Sequence, residues 1–222
     1  MPVAVDRIIR SKRRTVALIV ERDGSVTVRA PLRLPERTIR EFVEKHVDWV
    51  GKKKAEMRAV VPTRSKLYQP GENFLYLGRE YSLEVVARQH KKLILDDRFK
   101  ITESALENAE LIFQNWYRQQ AKQWIVERVK HLAELHQLHY EKVKITSART
   151  RWGSCSPKNT LSFSWRLMLT PPEVIEYVII HELAHTVHHN HSKRFWKLVE
   201  NLLPDYKARR KLLRQYGQQS LL

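Results

Sequence analysis

Residues 170–191 read TPPEVIEYVIIHELAHTVHHNH, and the fold turns on them. Thr170 and Glu173 have the spacing of a capping box, and Pro171 suits the first helical position. The spacing predicts a helix that starts here and runs through Val174–Ile180 into His181-Glu182-Leu183-Ala184-His185. Its apolar residues cover nearly every face, so the helix is expected to be buried. His181 and His185 are four residues apart and therefore project from one face, about one turn along. Two imidazoles placed so can both reach a zinc ion at ~2.0–2.1 Å. Glu182, beside the first, is the candidate general base toward an activated water. The bland alternative is a pair of core histidines bonded to backbone. Burying two histidines and an acid without a partner costs on the order of several kcal/mol, and a metal relieves that cost.

The third ligand must come from beyond His185. His188 shares the face of His181 and His185, but offsets of four and seven span about 10 Å of helix axis, too far for three side chains to converge. His189 points off that face if the helix continues. His191 lies six residues past His185, the offset of the metzincin pattern, although His188 stands where that pattern has a helix-breaking glycine. Asn190 tolerates a left-handed conformation and is expected to end the helix. Ser192 is then placed to cap a new helix carrying Phe195, Trp196, Leu198, Val199 and Leu202, ended by Pro204. His191 is the favoured ligand, with Glu200 on that next helix as the competitor. Cys155 as a fourth ligand would close the site against catalysis.

Upstream, Val16–Val20 and Ser25–Arg29 flank the turn signal Asp23-Gly24 and read as a hairpin. Pro35 precedes a helical stretch with Ile39, Phe42, Val43, His46, Val47 and Val50 at steps of three and four, expected to fray at Lys52-Lys53-Lys54. Phe74–Leu77 and Tyr81–Val86 read as strands around Gly78, with Lys92–Leu95 as a further strand. Tyr117, Ala121, Trp124, Ile125, Val129, Leu132 and Leu135 trace one face of a long helix. Val143–Ser147 and Leu161–Leu167 read as strands joined through 149–159. The expected organisation is a mainly β region with one helix over 1–102 and a catalytic region over 103–222, packed as one unit.

The chain has 222 residues and a formal charge of +17. So large an excess attracts polyanions, and the expected partner or substrate is nucleic acid, a nucleotide or an acidic protein. Basic clusters recur at Lys12-Arg13-Arg14, Lys52-Lys53-Lys54, Lys91-Lys92 and 207–214. No stretch has the ~18 consecutive apolar residues of a membrane span, and charges occupy the place of a signal peptide's apolar core. One cysteine excludes an internal disulfide. The expected compartment is the cytoplasm.

Arg149-Thr150-Arg151-Trp152-Gly153-Ser154-Cys155-Ser156, Trp165-Arg166-Leu167, the His-Glu-Leu-Ala-His run, His191-Ser192, Phe195-Trp196 and Pro204-Asp205-Tyr206 resemble the YgjP-like metallopeptidase-domain family. That family looks like a relative of the SprT-type zincins. A weaker match at Tyr76-Leu77-Gly78-Arg79 extends the resemblance over nearly the whole chain. Ser164 departs from the family, which usually has Asn there. The resemblance implies an α+β fold, with a zincin-like helical core beside a small antiparallel sheet. It also implies His181, His185 and His191 as ligands of one zinc per chain, and Glu182 as acid/base.

Three functions compete at this point. The first is a zinc hydrolase acting as a metallopeptidase. The second is a nucleoside triphosphate pyrophosphatase, against which a tri-histidine site counts, because phosphoryl chemistry usually recruits Mg²⁺ through carboxylates. The third is a nucleic-acid-binding module with structural zinc, which would not need Glu182. Arg151 and Tyr206 are candidates for stabilising a transition state. Arg166 is a candidate either for substrate binding or for an internal ion pair.

Overall fold

The computed structural model describes residues 5–21, 24–59 and 66–218. The chain divides into two compact units, Met1–Pro62 and Thr63–Gly217. The division does not fall near residue 102, because the strands over 73–102 share one core with the helices C-terminal to them.

In the first unit, β1 (Arg7–Ser11), β2 (Ala17–Val20) and β3 (Val26–Pro31) form a sheet of order β1-β3-β2. The expected hairpin is present as the antiparallel β2–β3 pair, and Gly24 in its turn has φ +82°. Asp23 lies outside the described residues. Strand β1 has no counterpart among the expected elements: it pairs parallel to β3 and is exposed along its length, so it lacks the apolar alternation that marks a half-buried strand. The expected helix is two, α1 (Glu36–Glu44) and α2 (Val47–Ala59), broken at residues 45–46. Helix α2 runs through the lysine triplet instead of fraying there, since a solvated lysine run keeps good helix propensity. Ile39 and Val43 pack against Val28 and Ala30, and Val50 against Val20 and Val26.

The second unit is α+β. Strands β4 (Asn73–Tyr76), β5 (Arg79–Val86), β6 (Leu93–Leu95) and β7 (Phe99–Thr102) form a sheet of order β4-β5-β7-β6, mixed because β5 and β7 run parallel. A 3-10 turn over Glu103–Asn108 leads into α3 (Ala109–Leu135). Its buried stripe, Phe113, Tyr117, Ala121, Ile125 and Val129, advances in steps of four. Leu135, expected on that face, is exposed. A second sheet joins β8 (Lys142–Thr146), β9 (Gly153–Cys155) and β10 (Thr160–Ser164) in the order β8-β10-β9, leaving β9 at an edge. Residues 165–167, expected as strand, form a 3-10 turn capped by Ser164.

Three helices complete the unit: α4 (Pro172–Ala184), α5 (Lys193–Leu202) and α6 (Tyr206–Gln218). The β4–β5 turn seats the start of α4. Gly78 has φ +77°, and a Cβ there would come within 2.7 Å of Pro171 Cγ, so only glycine fits the approach. The capping box expected at Thr170 does not form. The Thr170 hydroxyl donates to the Leu167 carbonyl at 2.8 Å, and the helix begins one residue later, at Pro172. No helix among the described residues is long and apolar enough to cross a membrane.

Candidate metal centre

Helix α4 is buried over most of its surface, as its composition predicts, and it carries Glu182 and His181 into the interior. It ends at Ala184, earlier than expected. The amides of Val187 and His188 turn back to the Ala184 carbonyl, and Asn190 does not adopt a left-handed conformation. Instead the Asn190 side chain accepts from the Ser192 amide at 3.2 Å, a local turn that needs no positive φ. The Ser192 hydroxyl then accepts from the Phe195 amide and caps α5, as expected.

This reversal returns His191 to the two α4 histidines. His191 Nε2 lies 3.1 Å from His181 Nε2 and 3.2 Å from His185 Nε2. All three potential ligand atoms fall within 4.8 Å of one another. Tetrahedral zinc with bonds of ~2.0–2.1 Å puts its ligand atoms roughly 3.3–3.4 Å apart, so the two close separations suit a shared ion. The surroundings hold the rings in these orientations. His185 Nδ1 is 2.9 Å from the His188 carbonyl, a contact that orients the ring and favours a free Nε2 lone pair. Phe195 stacks on His185 at a centroid distance of 4.4 Å, and Trp196 stacks on His191 at 5.6 Å.

Electrostatics act in the same direction. Burial, reinforced by His185, His191 and Arg210, lowers the His181 pKa to about 3, which keeps the ring neutral. Burial also lowers His185. His181 Nδ1 is buried without a hydrogen-bond partner. Burial alone raises Glu182, which is 6% exposed, to about 8. A buried acid that would stay protonated and three converging imidazoles together suit a cation, which would bring the carboxyl back to its charged form.

Gly153 on β9 belongs to this site. A Cβ there would lie 2.7 Å from both Cγ and Oε1 of Glu182, so the strand can approach the carboxylate only without a side chain. In the sequence the Trp152-Gly153-Ser154-Cys155 run reads as part of the 149–159 connection, either a wall of the cleft or a tight turn; its last three residues form the edge strand β9. Trp152 lines the same cleft as Glu182.

Other candidates lie elsewhere. Glu200 pairs with Lys197 at 3.8 Å and Lys207 at 3.4 Å, away from the triad. Cys155 is not among the converging groups; burial and then Glu182 push its thiol up to about 11, which suits a small apolar filler. Arg166 is buried, donates to the Ser147 carbonyl at 3.0 Å and lies over the Trp165 ring. Tyr206 is buried against Trp196. Arg151 is exposed at a small polar pocket beside Ser154 and Ser162.

Among solved structures, the chain is similar to the metallopeptidase zymogen abylysin of Pyrococcus abyssi. The two are 21% identical with a TM-score of 0.39, over 44% of this chain and 99% of that one. The zymogen jannalysin of Methanocaldococcus jannaschii is 19% identical with a TM-score of 0.38, over 41% and 95%. No curated protein matches the chain. The family model described as YgjP-like, metallopeptidase domain, matches residues 14–216. With that match spanning both units, the chain belongs to the YgjP-like metallopeptidase-domain family.

Proposed function

We propose that this protein is a zinc peptidase in which His181, His185 and His191 hold one metal ion and Glu182 is the general base. The observation that carries the reading is the convergence of three imidazoles beside a buried carboxyl that has no other role in the core. Zinc in such a site supplies Lewis-acid activation of water and of the scissile carbonyl. Glu182 takes the proton of the attacking water and returns it to the leaving amine. Gly153 lets the strand approach that carboxylate without a side chain in its way. Phe195 and Trp196 pack against the imidazoles and keep them from reorienting between turnovers.

The charge of +17 supports docking to a polyanion, with nucleic acid the form best suited to a spread of lysine and arginine clusters.

The decisive experiment compares zinc-loaded wild type with Glu182→Gln on unstructured protein substrates, with and without DNA, and on nucleoside triphosphates. Peptide cleavage that falls by about 10²–10⁴-fold in the variant, with zinc content unchanged, is the expected result. Glu182-dependent pyrophosphate release without proteolysis would replace the peptidase reading by nucleotide hydrolysis. Elemental analysis of His191→Ala should give lowered zinc occupancy, and full retention would remove His191 from the ligand set.

A further inference from the structure

His181 of the triad, Glu182 and Gly153 occupy one side of a cleft whose remaining walls have no part in the chemistry above. The cleft has a volume of about 180 Å³. Beyond His181, Glu182 and Gly153 it is walled by Trp152, Tyr177, Val178 and Leu213. Sites that take whole drug-sized ligands measure roughly 300–1,000 Å³, so this space suits a single side chain. Its lining is aromatic and aliphatic, which fits a large apolar one.

The rim is charged. On α6, residues 213 and 214 lie three and four positions past 210, so Arg210 and Arg214 neighbour the wall residue Leu213 on one helical face. The Arg210 guanidinium lies 4.6 Å over the Trp196 ring, and Trp196 in turn stacks on His191. Neighbouring Arg209 is neutralised by Asp205 and Glu176, each at 2.9 Å. Arg210 and Arg214 have no carboxylate partner among the described residues. Two uncompensated guanidinium groups beside an apolar slot call for a ligand that brings its own anion, and a carboxylate matches their fork geometry.

We propose that this cleft is a specificity subsite for a large apolar side chain of a peptide substrate, and that Arg210 and Arg214 hold a carboxylate on the same peptide. The proposal rests on the peptidase reading. It predicts a substrate class of peptides in which a leucine- or phenylalanine-sized residue adjoins the scissile bond, with an acidic side chain or a free C-terminus close by.

Binding to zinc-loaded Glu182→Gln, followed calorimetrically, separates this subsite from catalysis. The probes are short peptides that carry Leu, Trp or Gly at one position, with a neighbouring Glu, a free C-terminus, or neither (amidated). The Leu peptides should bind about 10-fold or more tightly than the Gly peptides. Adding Leu213→Trp should erase that difference by filling the slot. Leu213→Ala, which leaves folding intact if the bulkier change does not, should move the preference toward Trp-bearing peptides. Arg210→Gln with Arg214→Gln should remove the carboxylate preference and keep the apolar one. The Glu and free C-terminus probes identify which carboxylate is held. Equal affinity for Leu and Gly peptides, or a carboxylate preference that survives loss of both arginines, overturns the subsite. Selective binding without turnover by wild type would instead sink the peptidase reading and leave the subsite standing.

Discussion

The two units bury different kinds of side chain. Residues 5–59 enclose Val20, Val26, Val28, Ala30, Ile39, Val43 and Val50, small aliphatic groups beneath a sheet whose β1 strand is exposed throughout. The second unit encloses Phe74, Phe99, Phe113, Tyr117 and Trp165 in mutual ring contact, and among the described residues it alone carries a buried acid. Rings pack at defined angles and resist repacking. A buried carboxyl and a buried, half-satisfied imidazole raise the energy of whatever holds them, so they sit in the unit with the larger, stiffer core. The difference teaches where this chain keeps its costly groups: where packing is strong enough to hold them against relaxation.

Four measurements bear on that contrast. The strongest is Phe113→Ala. Phe113 is fully buried and stacks on Phe74 at 4.3 Å, so its loss should cost about 3–5 kcal/mol in denaturant unfolding of the second unit. A cost under about 1 kcal/mol would break the claim that the aromatic core is the stiff one.

Gly153→Ala comes next. A displacement of Glu182 by about 1 Å should lower turnover roughly 10²-fold while zinc occupancy stays at the wild-type level. Unchanged turnover would mean that the carboxylate does not need that approach.

The third measurement is pH-dependent stability of the metal-free protein. Glu182 is raised from 4.5 to about 8, so the stability it contributes is full below pH 4.5 and declines as pH rises to about 8. His181 is lowered from 6.5 to about 3, so its contribution is full above pH 6.5 and declines as pH falls. The two slopes oppose each other between pH 4.5 and 6.5. Above pH 6.5 only Glu182 acts, and stability should fall by roughly 2 kcal/mol by about pH 8, at about 1.36 kcal/mol per unit. Glu182→Gln should flatten that alkaline limb. A limb unaltered by the substitution would assign it to another group.

The smallest effect is expected in the first unit. Ile39→Val should cost about 0.5–1.5 kcal/mol, since one methylene is lost from an aliphatic cluster that can close around the gap. A larger loss than Phe113→Ala would invert the comparison.

Much of this was legible in residue order. Periodicity located α3, the prolines after Thr170 located the start of α4 to within a residue, turn chemistry located the β2–β3 and β4–β5 hairpins, and Ser192 marked the start of α5. These signals are local: a helix face or a two-residue turn needs only neighbours in sequence. The errors were those of competition. Thr170 looked like a cap, but its hydroxyl closes the preceding turn. Asn190 looked like a left-handed stop, but α4 had already ended at Ala184. Strand β1 carries no apolar alternation, because its pairing is made by backbone rather than by side-chain burial.

The sequence by itself determined the helical histidine pair and the candidate base, and offered His191 and Glu200 for the third place. Histidines four apart on a helix and the glutamate beside the first constrain one another through helix geometry alone. Only the tertiary structure decided that His191 and not Glu200 meets the pair, because Glu200 turns instead to Lys197 and Lys207. It also decided that Gly153 faces Glu182, that Leu213 reaches the cleft from α6 and that Arg210 lies over Trp196. Those approaches join residues tens of positions apart, and packing between elements brings them together where no local periodicity could.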